Sequence, residues 1–228
     1  MEASKVEIKI DGKWSLEDLY VMSRTYIQCY SLIYSLADVE LPRVEYEKFR
    51  NYLKGEYARY PWRGGYSTIN FYNNIFHRIP YEHRPLIHSI NYSSPGALVL
   101  TEVATVAVII SGIVLSVAKS LDVAHDTYNK IKKGITDRKL SKIEVASKEF
   151  ELLEKEMKFV EQSLAELIDI MNIPPEMLEE LEKRSGGNKL MQLKILLSFY
   201  RRVEPLALMQ ADGRLKLESE SARKEIEW

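Results

Sequence analysis

Histidine, cysteine and carboxylate side chains carry most acid–base, metal and nucleophilic chemistry, and this chain groups few of them in workable ways. His77 and His83 stand six residues apart, with Glu82 beside the second. An imidazole pair near a carboxylate has the makings of a metal or general-base site. Their i,i+6 spacing, however, matches neither a helix face nor a usual ligand motif. His88 stands in a segment of alternating polarity, and His125 precedes Asp126 on a helical stretch, where solvation is expected. Cys29 sits among Tyr26, Tyr30 and Ile33 with no adjacent basic group to lower its pKa, so a buried, inert thiol is predicted. No Gly-rich phosphate loop, nucleophile elbow or Cys-x-x-Cys motif occurs. The expectation is a protein that is not an enzyme and needs neither metal nor cofactor; an enzyme using His77, Glu82 or His83 is the weaker alternative.

A different chemistry, recognition, is suggested by Tyr57, Arg59, Tyr60, Trp62, Arg63 and Tyr66, gathered around a Pro-Trp-Arg-Gly-Gly turn. Aromatic and guanidinium groups on a loop are what protein-binding hot spots favour. The same groups also stack bases of a nucleotide or single strand. Protein contact ranks above nucleotide or RNA contact here, beside a purely structural role for the aromatics. Between Lys130 and Lys142 lie six basic residues and one acid, Asp137. They could touch phosphates, although a solvated turn explains them more simply.

The elements that must position these residues follow from periodicity. Val6, Ile8 and Ile10 alternate with Lys5, Glu7 and Lys9, a half-buried strand stopped by Asp11-Gly12. Ser15 with Asp18 reads as a capping box opening a helix of about two dozen residues. A charged helix from Val44 to Tyr57 and a short one from Thr68 to Phe76, capped by Ser67, come next. Leu86 to Tyr92 alternates again and is predicted to pair with the first strand, before Ser93-Ser-Pro-Gly96 breaks it.

Beyond this point the period becomes helical. Val103, Ala107, Ile110, Val114, Val117, Leu121, Ala124, Tyr128, Ile131 and Ile135 form one seam, some 50 Å long at about 1.5 Å per residue. A second seam runs from Ile143 to Met171 and stops before Pro174-Pro175. Two long helices with a short connection make an antiparallel hairpin, about 102–172. Glu149, Glu154, Glu156 and Glu161 flank the second seam, so self-pairing would oppose like charges, and packing within the chain is preferred. Lys130, Lys132, Lys133, Lys194, Arg201 and Arg202 are the basic partners at hand. Shorter helices at Glu176–Lys183 and Lys189–Val203, the latter ended by Pro205, complete the chain.

The first arm starts unusually apolar. Val103 to Ala118 carries no charge, and extension back to Ala97 meets only Glu102. The basic residues that follow and the Gly112…Ser116 pair of small residues suit a membrane helix. A span needs about twenty apolar residues, however, and shorter ones are commonly buried core. Core is preferred; membrane insertion or a buried interface through Val103, Ala107, Ile110, Gly112, Val114 and Ser116 is the alternative.

Composition sets the frame. A chain of 228 residues with 46% hydrophobic and 29% charged residues builds an ordinary globular core. Its net charge of −1 gives no global attraction to nucleic acid or anionic lipid, so any electrostatic role is local. One cysteine and an N-terminus without a basic-then-apolar run point to the cytoplasm, with inner-membrane association as the alternative. The expected fold is α+β and predominantly helical: an aromatic-rich part, 1–96, with a two-stranded element, and a helical part, 97–228, possibly one integrated domain. The expected function is a protein-interaction or assembly subunit of a bacterial-type multi-component system, with a protein partner or oligomer. A membrane-acting effector inserting 97–118 is the rival, and a small enzyme or a nucleotide- or RNA-binding module the weaker alternative.

Overall fold

A computed structural model of the chain describes residues 4–39, 41–59, 66–140 and 154–217. The fold is predominantly helical α+β, with a small antiparallel sheet of four strands. Strand β1 (Ser4–Ile10) buries Val6, Ile8 and Ile10, as its alternation requires. Helix α1 (Leu16–Leu36) opens with the capping box: Asp18 N–H donates to Ser15 Oγ at 3.0 Å, and Ser15 N–H donates to Asp18 Oδ2 at 2.9 Å. Helices α2 (Arg43–Arg59) and α3 (Tyr66–Arg78) follow, then a single 3-10 turn at Tyr81–His83 and strand β2 (Leu86–Asn91).

Here the first correction falls. β2 does not pair with β1. Between them lies β3 (Gly96–Glu102), and the sheet order is β2-β3-β1-β4, with β4 formed by Leu215–Leu217. Ala97 to Glu102, expected to lead into a helix, is a strand with Leu98, Leu100 and Glu102 turned inward. Its outward residues Ala97 and Val99 are themselves apolar, which hides the period of two. Gly96 makes the preceding turn possible, because a Cβ there would lie 2.6 Å from the Asn91 carbonyl oxygen and 2.7 Å from that of Ser93. Ile87 and Ile90 lie opposite Leu100 and Leu98 but are exposed, since the helical layer does not cover the edge strand.

The second correction concerns the long first arm. It is two helices, α4 (Ala104–Lys119) and α5 (Leu121–Asp137), bent by 92° at Ser120. No Gly or Pro marks the bend. Ser120 leaves helical geometry at φ −128°, ψ 35°, and its hydroxyl donates to the Ser116 carbonyl. The heptad-like seam survives the corner because both halves are buried, with α8 (Lys189–Ala211) and α6 (Glu154–Met171) as shared neighbours. α4 packs on α8, α1 and the sheet, while α5 lies along α6 and α8.

An antiparallel pair remains, but it is α5 with α6. Gly134 faces Phe159, and Lys130 pairs with Glu166 at 3.4 Å, so the two helices run in opposite directions. The expected start of the second arm, from Ile143, lies outside the described residues. Helix α7 (Pro175–Ser185) is closed by Gly186 in the left-handed conformation, φ 59°. α8 then runs through Pro205 rather than stopping there. Packed by α1, α4, α5, α6 and α7, it is the central helix, and this burial outweighs the one backbone hydrogen bond that proline removes. A single hydrophobic core cluster links strands and helices from both sides of residue 96.

Candidate functional site

Two of the reactive side chains are buried. The Cys29 thiol is fully buried and its pKa is pushed up to about 12 by desolvation. His83 is a core residue: its Nδ1 lies 2.8 Å from the Tyr34 hydroxyl, and desolvation holds its pKa below the usual value. His125 pairs with Glu204 at 2.7 Å on the surface. Among the described residues no three His, Cys, Asp or Glu side chains are grouped so as to hold a metal ion.

The aromatic–arginine loop fares differently at each position. Tyr57 is 2% exposed, its hydroxyl 3.0 Å from Ser35 Oγ and its ring edge-on to Phe71, so it is part of the core rather than of a contact surface. The period that buries it is helical: Leu53, Glu56 and Tyr57 share the inward stripe of α2. Arg59 ends α2 and Tyr66 begins α3. Tyr60, Trp62 and Arg63 lie outside the described residues.

The apolar segment is largely interior. Val103, Ala107, Ile110 and Val114 are buried, Gly112 is exposed, and Ser116 is half-buried with its hydroxyl donating to the Ile170 carbonyl at 2.9 Å. Among the described residues no single helix is long and apolar enough to cross a membrane; α4 and α5 reach that length only as the bent pair.

What the fold does assemble is a cleft of about 610 Å³ between four helices. α1 presents Tyr20, Val21, Arg24, Thr25 and Gln28 to it. α5 presents Tyr128, Lys132, Ile135 and Thr136, and α8 presents Lys194, Leu197, Ser198, Arg201 and Arg202. Each set recurs at spacings of three and four, so each helix turns one stripe to the core and a neighbouring one to the cleft. The first turn of α3 closes one side through Thr68 and Ile69. That turn carries no acidic residue.

The electrostatics are one-sided. Among the described residues, five cationic ones line the cleft (Arg24, Lys132, Lys194, Arg201 and Arg202) and no carboxylate does. Arg24 leans over the Tyr20 ring at 5.6 Å and donates to its hydroxyl at 2.7 Å. Lys132 Nζ sits 5.9 Å from the centre of the Tyr128 ring, which stacks on Tyr200 at 5.0 Å. Arg202 is 8% exposed, with its guanidinium 3.8 Å over the Tyr72 ring. Its Nη1 donates to the Ser198 carbonyl and hydroxyl, and its buried Nε has no hydrogen-bond partner. Among the described residues, none of Arg24, Lys132, Arg201 and Arg202 forms an ion pair.

Lys194, Arg201 and Arg202 were expected to answer the glutamates of the second seam, and Arg201 and Arg202 instead face the cleft. Periodicity alone does not separate the two outcomes, since both put the side chains on one face of α8. The partner helix decides, and α1 supplies further arginine where α6 would have supplied glutamate.

Chemically, the cleft is furnished to bind negative charge beside an apolar wall of Val21, Ile69, Ile135 and Leu197. Compared with known proteins, the chain matches no family model, no curated protein and no solved structure.

Proposed function

We propose that the chain is a non-enzymatic binding subunit, an interaction or assembly component whose recognition site is the cationic cleft. The ligand it takes carries several negative charges next to an apolar or aromatic part. One observation carries this reading: Arg24, Lys132, Arg201 and Arg202, from three helices, line a single concave surface with no carboxylate among the described residues of its lining. Like charges held together repel and weaken the empty fold, and a polyanion relieves that repulsion while gaining charge-assisted hydrogen bonds. The mostly buried α4 supports the soluble reading of that segment over membrane insertion.

Thermal unfolding of the full chain with added polyanions tests the proposal. Tripolyphosphate, citrate and an oligoglutamate peptide are to be compared at constant ionic strength. A midpoint that rises with the concentration of at least one of them is expected, by simple linkage. A midpoint indifferent to all three would overturn the reading.

A further inference from the structure

We infer that the cleft is a nucleotide site, and that its ligand is a nucleoside di- or triphosphate. This inference rests on the anion-binding reading above and narrows it. The first argument is charge. Four cations without an ion pair among the described residues, with Lys194 beside them, exceed what a monocarboxylate or a single phosphate would balance, whereas a polyphosphate chain carries a matching charge. The second is geometry. Arg24 and Arg201, both exposed, bring planar forks that grip tetrahedral phosphoryl oxygens in pairs, and Arg202 adds its charge behind them. The first turn of α3, which carries no acidic residue, lies on the same wall.

The third argument concerns the rest of the ligand. Tyr20, 58% exposed at the rim, offers an aromatic face already backed by the Arg24 guanidinium. A base stacked there gains from both groups. Thr25, Thr136 and Ser198 also line the cleft; the Thr25 and Thr136 hydroxyls donate to their own helices, which leaves their oxygens as acceptors for a sugar hydroxyl. A cleft of about 610 Å³ falls within the usual size of small-molecule sites.

Calorimetric titration of the full-length protein separates the outcomes. The probes are ATP, GTP, AMP, tripolyphosphate, citrate and an oligoglutamate peptide. The triphosphates are expected to bind at least about tenfold more tightly than AMP or citrate. Arg24→Gln and Arg201→Gln, both at exposed positions, should each weaken triphosphates and tripolyphosphate about tenfold. Tyr20→Ala removes the stacking face and also the hydroxyl that holds Arg24, so it should weaken the nucleotides several-fold more than it weakens tripolyphosphate. If oligoglutamate binds and neither the nucleotides nor tripolyphosphate do, the nucleotide assignment is overturned and the anion reading stands. If no anion binds, both fall. Tripolyphosphate binding as tight as ATP, together with a Tyr20→Ala variant that behaves like the parent, would remove the nucleoside from the assignment.

Discussion

The Tyr26 hydroxyl donates to Glu102 Oε1 at 2.7 Å, and the other carboxyl oxygen of Glu102, fully buried, has no hydrogen-bond partner. Tyr26 and Tyr30 stand one turn apart on α1, and Glu102 is the last residue of β3, so the pair ties α1 to the point where the sheet hands over to α4. Burial, with no cation to offset it, pushes the Glu102 carboxyl up to about 8, and the Tyr26 hydrogen bond pulls it only partly back.

The carboxyl therefore makes stability fall with rising pH. Below the ordinary value of 4.5, both folded and unfolded chains hold the proton and the contribution is fully present. Between there and about 8 only the unfolded chain releases it, so stability drops, by up to roughly 4–5 kcal/mol at about 1.4 kcal/mol per unit. Glu102→Gln keeps an acceptor for Tyr26 and cannot ionise. Denaturant unfolding at pH 5 and pH 8 should show the parent losing stability relative to the variant across the interval, while the depressed His83 pKa acts equally on both, so the variant ends as the more stable of the two. Equal slopes for the two proteins would contradict the assignment.

Tyr30, one turn further along α1, joins two other elements through a single oxygen. It donates to the His83 carbonyl at 2.5 Å and accepts from the Val103 backbone N–H at 3.1 Å. Tyr30→Phe leaves both groups buried without this partner, and a loss of about 2–3 kcal/mol is expected. Hydrogen exchange gives the local check: the Val103 amide should lose protection in the variant while amides in the middle of α8 do not.

Gly96 is fixed by close approach rather than by its own dihedral angles. A Cβ would stand 2.6 and 2.7 Å from two backbone oxygens of the β2–β3 turn, and neither can move without opening the hairpin. Gly96→Ala should destabilise the protein by about 2 kcal/mol or more in equilibrium unfolding. A neutral result would mean the turn has freedom that the contacts deny.

These residues also show what sequence patterns carry and what they do not. β1 and the start of α1 were readable because their signals are local: strict alternation in one and Ser15 with Asp18 in the other. β3 was not, because a strand between two neighbours buries one face against helices and shows apolar residues on the other, erasing the alternation. The corner at Ser120 has no breaker residue, and Pro205 is a breaker that the packing of α8 overrides. Tertiary burial made both decisions. The cleft was the least legible part. Arg24 and Arg201 are ordinary charged positions on two helices far apart in the chain, and only the packing of α1 beside α8 makes them neighbours.

That packing has a cost measurable without any ligand. Arg24, Lys132, Arg201 and Arg202 line one cleft with no ion pair among the described residues, so their repulsion acts on the empty protein. Arg201 is exposed and helical, and glutamine preserves its helix propensity and stem. Arg201→Gln should therefore raise the unfolding midpoint at low ionic strength by about 1–2 °C, corresponding to a few tenths of a kcal/mol. Salt should erase the difference, because added ions screen the parent more than the variant. The comparison is made by scanning calorimetry at about 10 mM and about 300 mM ionic strength, where the screening length changes most. A variant less stable than the parent at low salt would show that Arg201 is held by a partner, and the cleft would lose its claim to be an unbalanced charge site.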